Sequence, residues 1–381
     1  MGVLIVLFTM IITILTVGVM VGVIPYIVRR NLHFGVTLPD AANELELTKK
    51  WKKQFLTFSL LMATLGALSI IAGLFFNLDE EGTMQYMAIS GTVALAVMGI
   101  VQLVMYLRFH DQAKKLKQEQ FSSREDKHDA RIMVSMDFHR QKTTISNWWM
   151  IIIGSVIIMA TATFPFMMYD QIPDLVPVSW NLDTVAFREK SPGMFMFVPA
   201  LQLSMLAIFL FANYSFRKMK QVIRPEDAER SMMQNIRFRQ AMSKFLMIIG
   251  ILTLLLVGSI QVMMVLNVQD GSQIGIFGVG IALVALAGTL YLMWKYGQGG
   301  ERYKSKGSSE MLDSPYHMVD DDEGWILGII YYNPKDPALF VETRFGMGNT
   351  INMARPAAWW MILGIVMFIV MTLVISFRMV D

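Results

Sequence analysis

Apolar stretches of about 20 residues, free of Asp, Glu, Lys and Arg, recur along this chain and constrain its fold more than any other feature. An α-helix rises about 1.5 Å per residue, so a stretch of this length crosses the roughly 30 Å hydrocarbon core of a bilayer. We therefore predict an all-α polytopic membrane protein with about eight transmembrane helices. The predicted spans are residues 3–28, 54–76, 84–107, 148–168, 193–214, 245–266, 274–294 and 357–377.

Composition agrees with this class. Of the 381 residues, 54% are hydrophobic and 17% are charged, which is too apolar for an ordinary soluble domain. The lipid bilayer is therefore the expected partner, and a net charge of +3 gives no reason to expect nucleic-acid binding. The first stretch lacks a basic region before it and a small-residue cleavage site after it, so we interpret it as an uncleaved anchor.

The distribution of charge predicts the orientation. Lys and Arg concentrate in the connections at residues 29–53, 108–147 and 217–244, whereas the short connection after the second span carries Asp79, Glu80 and Glu81. Basic connections remain in the cytoplasm, so these three belong on the inner side. With eight spans, both termini and the polar loop at residues 169–192 are then extracytoplasmic.

That loop is the candidate ligand site. Its prolines stiffen the backbone, and its aromatic and charged side chains are of the kind that builds a recognition surface for a peptide. The candidate ligand-binding residues are Asp170, Pro173, Asp174, Pro177, Trp180, Asn181 and Arg188. The alternative is an interfacial lid that only seals the helix bundle.

A β-rich segment precedes the last span. Residues 325–332 and 339–343 are strand-prone, residues 333–337 have turn chemistry, and residues 346–349 lead toward a third strand, which predicts a small β-meander. A sheet of this size is marginal alone, so we expect it to dock on the cytoplasmic helices or on the membrane face. The acidic run at residues 320–323 is interpreted as a solvated cap on it; attraction of a divalent cation or of a basic loop is the alternative.

These features divide the chain into consecutive regions. The predicted regions are a three-span part at 1–147, a two-span part at 148–215, a loop and two spans at 216–295, a flexible Gly/Ser-rich linker at 296–319, the β-rich segment at 320–356 and the last span at 357–381. Within the fifth span, Pro199 predicts a bend near the outer end.

Chemistry-bearing patterns are missing from the sequence. The chain has no cysteine, its five histidines show no metal-ligand spacing, and no nucleophile–base set or phosphate loop is seen, so we expect no cofactor, no metal and no enzymatic activity. The spans contain no ionisable residue away from their ends, which disfavours ion-coupled transport. Their amide side chains, Gln102, Gln202, Asn213 and Gln261, form either helix-to-helix hydrogen bonds or a buried polar path.

Two segments resemble known families. Residues 169–199, which include YDQIPDLVPVSWN, resemble domain-of-unknown-function family 1648, found in bacterial membrane proteins that include the immunity protein against the sporulation-delaying toxin. Residues 324–356 are similar to family 5808, a short cytoplasmic segment of unknown activity. The matching positions of this second motif are Trp325, Tyr332, Asn333, Pro334, Asp336, Pro337, Gly348, Asn352 and Pro356.

The resemblance implies a protein of the bacterial cytoplasmic membrane. The immunity relative suggests that the outer loop binds an envelope-active peptide or toxin and that the inner face contacts a regulatory or membrane protein. Our first hypothesis is therefore a non-catalytic protein that senses such a peptide or gives immunity to it. The second hypothesis is a membrane transporter or an accessory subunit of a transport complex.

Overall fold

The computed structural model describes residues 2–76, 78–121, 143–180, 185–220, 228–303 and 321–380. The helices are α1 (Gly2–Gly22), α2 (Ile24–Ile27), α3 (Glu46–Ala72), α4 (Glu80–Leu116), α5 (Asn147–Met167), α6 (Phe197–Lys218), α7 (Ala228–Val265), α8 (Ser272–Tyr296) and α9 (Pro356–Val380). Short 3₁₀ or π turns lie at Asp40–Glu44, Gly73–Phe75, Lys117–Phe121, Tyr169–Gln171, Met194–Met196, Gln298–Gly300 and Asp322–Gly324. The strands pair as separate antiparallel hairpins: β1 (Leu32–His33) with β2 (Val36–Thr37), β3 (Leu175–Trp180) with β4 (Val185–Glu189), β5 (Trp325–Ile326) with β6 (Ile330–Tyr331), and β7 (Phe340–Glu342) with β8 (Asn349–Ile351).

The fold is mostly helical, as predicted, and it is that of a multi-pass membrane protein. In the described part of the chain, 6 helical segments are long and apolar enough to cross a membrane. These segments are Glu46–Phe75, Glu80–Phe121, Asn147–Met167, Met194–Lys218, Glu229–Val265 and Ser272–Gly300. The first and last helices contribute shorter apolar stretches, Val6–Gly22 and Pro356–Phe368, so the predicted count of eight is not confirmed.

Two helices continue well beyond their predicted spans. Asp79 caps α4 by accepting a hydrogen bond from the Gly82 amide at 3.0 Å, and acidic residues in the first turn complement the helix dipole. The helix then runs for 37 residues to Leu116. Helix α7 runs for 38 residues, so it begins within the basic connection at residues 217–244 and continues through nearly all of the sixth predicted span. Within the basic connection that follows α4, residues 122–142 lie outside the described residues.

The helices form two bundles. In the first, α1, α3 and α4 pack around an apolar cluster, and small residues allow close approach: a methyl group added at Gly18 would lie 2.5 Å from Cβ of Ala63. The cluster comprises Ile14, Ala63, Ala67, Ile70, Met87 and Met98. In the second bundle, α5, α6, α7 and α8 pack together, with Met150, Leu206 and Leu254 at its centre. Helix α1 also contacts α8 and so joins the bundles.

Buried amides hold the second bundle together. The Gln202 amide donates to the carbonyl oxygen of Leu254 at 2.9 Å, and the Gln261 amide donates to that of Phe195 at 2.9 Å. Each bond joins α6 or its leading turn to α7. These two residues therefore form the helix-to-helix hydrogen bonds that the sequence suggested.

Each bundle has two chemically different ends. We call the end that carries β3–β4 the hairpin end, and we call residues 321–355 the β segment. The β segment packs at the opposite end, because the amide of Lys220, just after α6, donates to the carbonyl oxygen of Phe340 in β7 at 2.9 Å. Residues 29–45 lie at this β-segment end as well.

Two expectations about local structure are wrong, and a third loses its physical basis. The β segment forms two hairpins instead of a meander, because the chain turns at Leu327 and Gly328, whose φ angles are positive, and splits the predicted first strand. The flexible linker does not begin at residue 296, since Gln298–Gly300 is a buried 3₁₀ turn. Pro199 lies in the first turn of α6, where its missing amide removes no intrahelical hydrogen bond, so the reason for the predicted bend disappears.

Candidate functional site

The β3–β4 hairpin is anchored on the helix ends by one buried side chain. Val176 in β3 is fully buried, and it packs into an apolar cluster formed by the hairpin and by the helices around it. The cluster comprises Ile172, Val176, Met194, Phe195, Val198, Val257, Met264 and Val265. Burying a side chain of this size is worth about 1.5–3 kcal/mol, so the hairpin is held firmly on the bundle.

The opposite face of the hairpin carries large apolar side chains that are exposed. Leu175 pairs with Glu189, and Pro177 pairs with Phe187, so these side chains share one face of the two strands. Leu175 is 55% exposed and Phe187 is 43% exposed, whereas Pro177 between them is buried. The hairpin therefore presents two large apolar side chains at the hairpin end of the molecule.

Trp180 connects the hairpin to the turn between α7 and α8. Its indole nitrogen donates to the carbonyl oxygen of Val268 at 2.7 Å. Its side chain also lies against Gly271, where an added methyl group would approach Cβ of Trp180 to 2.6 Å. Trp180 is half-buried and holds the hairpin against this turn, and its ligand-binding role stays a prediction.

Acidic side chains flank the exposed face. Asp170, Pro173 and Asp174 are exposed, and the Asp174 carboxylate lies 3.2 Å from Lys190 Nζ although its side chain is 93% exposed. Lys190 is held in place, because its ammonium also donates to the carbonyl oxygen of Ile172 at 2.8 Å. The predicted acids therefore point into solvent from a fixed backbone.

Two predicted ligand-binding residues remain, Arg188 and Asn181. Arg188 is half-buried, and it lines an open groove of about 550 Å³ with Glu189, Lys190, Ser191, Gly193 and Met194. Asn181 lies outside the described residues. Of the predicted set, the structure places Asp170, Pro173 and Asp174 on the open surface, and it makes Pro177 and Trp180 part of the supporting structure.

At the other end, Asn352 organises the β segment. Its side chain is fully buried, and its amide nitrogen lies 2.9, 3.1 and 3.3 Å from the carbonyl oxygens of Asn333, Asp336 and Ala338. Its amide oxygen accepts from the backbone amides of Asn333 at 3.0 Å and Ala354 at 3.2 Å. One side chain thus closes the turn at residues 333–338 onto the start of α9.

Asp336 links this turn to the second bundle. Its carboxylate accepts hydrogen bonds from Tyr331 Oη at 2.8 Å and from Lys220 Nζ at 2.6 Å. Burial raises the pKa of Asp336, but the hydrogen bonds from Lys220, from the Ala338 amide and from Tyr331 lower it, and the net pKa is below the ordinary value. Burial and the bond to Asp336 raise the pKa of Tyr331 to about 12.

Arg344 joins the β segment to the first bundle. Its guanidinium donates to the carbonyl oxygen of Gly35 at 2.7 Å and to the Asp322 carboxylate at 2.5 Å. It also bonds to Asp321. The Asp322 carboxylate in turn lies 2.6 Å from Lys117 Nζ, just after α4. The expectation of a solvated acidic cap is therefore wrong for Asp322, because the buried Arg344 and Lys117 from the basic connection bind it. Asp321 also binds Arg344 but stays exposed.

Asp322 is held in its charged form by these partners. Burial raises its pKa, whereas the charge of Arg344 and the charge and hydrogen bond of Lys117 lower it, and the net pKa lies below the ordinary value. The carboxylate also accepts from the Thr37 hydroxyl at 2.7 Å. The contact between the acidic run and the β1–β2 hairpin is therefore a fixed, charge-assisted one.

A second buried ion-pair group lies where both bundles meet the β segment. Arg29, after α2, pairs with Glu342 in β7, and its Nε lies 3.5 Å from Glu301 after α8. Burial lowers the pKa of Arg29, but the charges of Glu342 and Glu301 raise it, and the net pKa is above the ordinary value. The Arg29 amide also donates to the Gln298 side chain at 2.9 Å, so the supposed linker is part of this junction.

Several residues of the motif that resembles family 5808 support the structure of the β segment. Trp325 stacks under the Arg344 guanidinium at 5.0 Å from the ring centroid, Gly348 has a φ of 135°, and Pro356 begins α9. Tyr332, Pro334 and Pro337 are exposed. Sequence reasoning missed Arg29, Arg344 and Glu342, which show no local pattern. The glycines at 299 and 300, both with positive φ, were a usable signal of a tight buried turn.

The described residues show no arrangement typical of a metal centre. Across these ranges no group of three or more His, Cys, Asp or Glu side chains could hold a metal ion. The charged groups that do come together are opposite in sign and bind one another. Chemically, this arrangement provides a stable junction between helices and a stiff surface at the far end.

Fold and site together define an α-helical multi-pass membrane protein with a rigid β segment at one end and a small hairpin cap at the other. Residues 334–359, which contain Asp336 and Asn352, match the family of unknown function DUF5808. No match to the chain is found among curated proteins or among solved structures. The comparison with family models shows no match to family 1648, so the mid-chain resemblance and its immunity relative stay predictions.

Proposed function

We propose that this chain is a non-catalytic protein of the bacterial cytoplasmic membrane that binds an envelope-active peptide at the β3–β4 hairpin. The observation that carries the proposal is the exposed apolar face of Leu175 and Phe187 on a cap anchored by Val176. Apolar side chains exposed on a stiff scaffold form binding surfaces at little entropic cost. Sensing of such a peptide, or immunity to it, is the biological role we assign.

The proposed orientation has eight spans and both termini outside. Helix α1 has 21 residues and α9 has 25, which give lengths of about 32 and 38 Å at 1.5 Å per residue, enough to cross the bilayer. The β-segment end carries basic residues that include Arg217, Lys218 and Lys220. Under the positive-inside rule that end is cytoplasmic, and the hairpin end then faces the envelope.

The chemistry of the hairpin favours a cationic, amphipathic peptide. Asp170, Asp174 and Glu189 are exposed around these side chains, and Lys190 offsets the charge of Asp174, so Asp170 and Glu189 supply the acidic character. An acidic rim attracts a cationic ligand and speeds its association, and the apolar centre supplies affinity. A helical peptide with Lys on one face and Leu on the other has both properties.

Binding can be measured directly on the whole protein. The protein in nanodiscs of neutral lipid is titrated with a fluorescein-labelled Lys/Leu amphipathic peptide, and empty nanodiscs give the background. Leu175→Ser with Phe187→Ser removes about 2 kcal/mol, since roughly half of each side chain is available to be buried, and weakens binding about 30-fold. Ala186→Ser, an exposed change on the same strand, is the matched control and leaves affinity unchanged.

A cellular measurement tests the role itself. A strain that lacks the protein becomes more sensitive to cationic peptides, and wild-type protein restores resistance while the Leu175→Ser, Phe187→Ser variant at equal abundance does not. If the deletion strain shows unchanged sensitivity, the sensing or immunity role is wrong. If the peptide binds nanodiscs with and without the protein equally, the hairpin is a lid and not a binding surface.

A further inference from the structure

The β5–β6 hairpin has one bound face and one free face. Trp325 pairs with Tyr331, and both turn toward the interior of the β segment, where they meet Arg344 and Asp336. Ile326 pairs with Ile330 on the other face, and these side chains are 50% and 46% exposed. The β5–β6 hairpin therefore has one face directed toward the β segment and one exposed apolar face.

The tip of the hairpin adds a third large apolar side chain. Leu327 is 51% exposed and has a φ of 53°, a left-handed conformation that bulky residues rarely adopt. The neighbouring Gly328 fixes the position of the turn, because its backbone packs closely against Gly35. A methyl group added at Gly328 would lie 2.6 Å from Cα of Gly35. The strained turn keeps Leu327 pointing away from the protein.

Contacts on both sides place the β5–β6 hairpin beside the ends of two membrane helices. The same added methyl group at Gly328 would lie 2.9 Å from the hydroxyl oxygen of Tyr106, near the end of the apolar part of α4. On the other side, the Met353 amide donates to the carbonyl oxygen of Tyr331 at 2.9 Å, and the indole of Trp359 donates to the carbonyl oxygen of Met353 at 3.1 Å.

Trp359 belongs to the first turn of α9, and it is exposed together with Trp360. Tryptophan concentrates at the boundary between hydrocarbon and headgroups, because its ring is amphipathic. The hairpin is therefore fixed beside the end of one membrane helix and the first turn of another, where Trp359 and Trp360 are exposed.

We propose that Ile326, Leu327 and Ile330 insert into the headgroup–acyl boundary of the leaflet at the β-segment end. The occupant of this apolar face is the lipid surface, because the hairpin is held beside the end of the apolar part of α4 and beside Trp359, whose exposed ring is typical of the membrane boundary. The β segment is then a membrane-seated element that ties both bundles to the bilayer surface. This inference requires the multi-pass fold but not the peptide-binding role of the β3–β4 hairpin.

The absence of cysteine from the chain allows a direct test. Single variants Ile326→Cys, Leu327→Cys and Ile330→Cys of the full protein are labelled with an environment-sensitive fluorophore and placed in nanodiscs that contain lipid spin-labelled near the headgroup. The labels are expected to be quenched by the spin-labelled lipid and protected several-fold from aqueous iodide. Lys335→Cys, an exposed position on the same segment, is the matched control and shows the reverse pattern.

Each other outcome overturns the proposal. Labels that iodide reaches as readily as the label at residue 335 place the face in water, free for a protein partner. Labels protected from iodide but not quenched by spin-labelled lipid place it against protein, either this chain or a second copy. Elution of every labelled variant at the wild-type position shows that the substitutions have not unfolded the protein.

Discussion

Replacement of Asn352 by alanine should open the β segment while the membrane helices remain folded. The Asn352 side chain is fully buried, and its two amide hydrogens serve carbonyl oxygens at 2.9–3.3 Å while its oxygen accepts two backbone amides at 3.0 and 3.2 Å. Each lost bond costs about 1 kcal/mol net, so the four together are worth about 4 kcal/mol. That value corresponds to a change of nearly a thousandfold in the local opening equilibrium.

Hydrogen–deuterium exchange measures this opening in the intact protein. Amides of residues 325–353 should exchange nearly a thousandfold faster in Asn352→Ala, whereas amides in α6 and α7 should keep their rates. The matched control is Asn349→Ala. Asn349 makes one described side-chain bond, to Ser215 Oγ at 2.8 Å, and it is half-buried, so about 1 kcal/mol is expected.

Asn352→Asp separates the two halves of the network. The carboxylate can still accept from the amides of Asn333 and Ala354, but it faces carbonyl oxygens that it cannot satisfy. At neutral pH this variant should be as open as Asn352→Ala. Equal exchange in Asn352→Ala and Asn349→Ala would refute the argument that one buried amide holds the segment together.

Three further changes probe the junction. Gly328→Ala should cost at least about 2 kcal/mol in thermal unfolding, because φ is +68° and the added methyl group meets backbone, whereas Gly278→Ala in the open part of α8 should be neutral or stabilising. Arg29→Met should lower the free energy of unfolding by about 3–5 kcal/mol, because Glu342 is then buried without its partner. The double variant Arg29→Met, Glu342→Gln should recover part of this free energy. The stabilisation of the β segment by the Asp336 carboxylate is complete above the unfolded pKa of about 4 and is lost as the pH falls through the lower folded pKa. Hydrogen–deuterium exchange of the β segment should therefore become faster in acid, and Asp336→Asn should abolish that increase.

These three predictions fail in distinguishable ways. Equal melting temperatures for Gly328→Ala and Gly278→Ala would mean that the Gly35 contact relaxes freely. No recovery from the added Glu342→Gln change would mean that Arg29 acts through Gln298 and Glu301 instead. An acid-induced rise that persists in Asp336→Asn would assign the titration to another carboxylate, with Asp322 the first to examine.

The membrane fold was accessible from sequence because its signals are local. A run of apolar residues that excludes charge identifies a helix such as α5 without knowledge of any neighbour. The charge bias and the cap at Asp79 are equally local. Gln202 and Gln261 could be assigned to helix contacts because an amide in hydrocarbon has few other options.

The candidate sites were harder to predict from the sequence, because the residues that contact one another there are far apart in the chain. Arg29 and Glu342 are separated by 313 positions, and neither position differs locally from a solvated charge. Trp180 was predicted to bind a ligand, and its hydrogen bond to Val268, 88 positions away, could not be read from the local sequence. Asp322 was interpreted as solvated for the same reason. The motif around Asn352 was recognised as a pattern, whereas its hydrogen-bond network required the structure.

Helix α7 contacts both ends of the molecule. Its last residues, Met264 and Val265, pack beneath Val176, and near its start the Gln234 amide donates to the carbonyl oxygens of Glu301 and Tyr303. Its 38 residues span about 57 Å at 1.5 Å per residue, so a tilt of about 5° at one end moves the other by about 5 Å. A displacement of that size exceeds the length of a hydrogen bond, so α7 cannot tilt as a rigid body by this angle unless the bonds from Gln234 to Glu301 and Tyr303 break or residues 301–303 move with the helix.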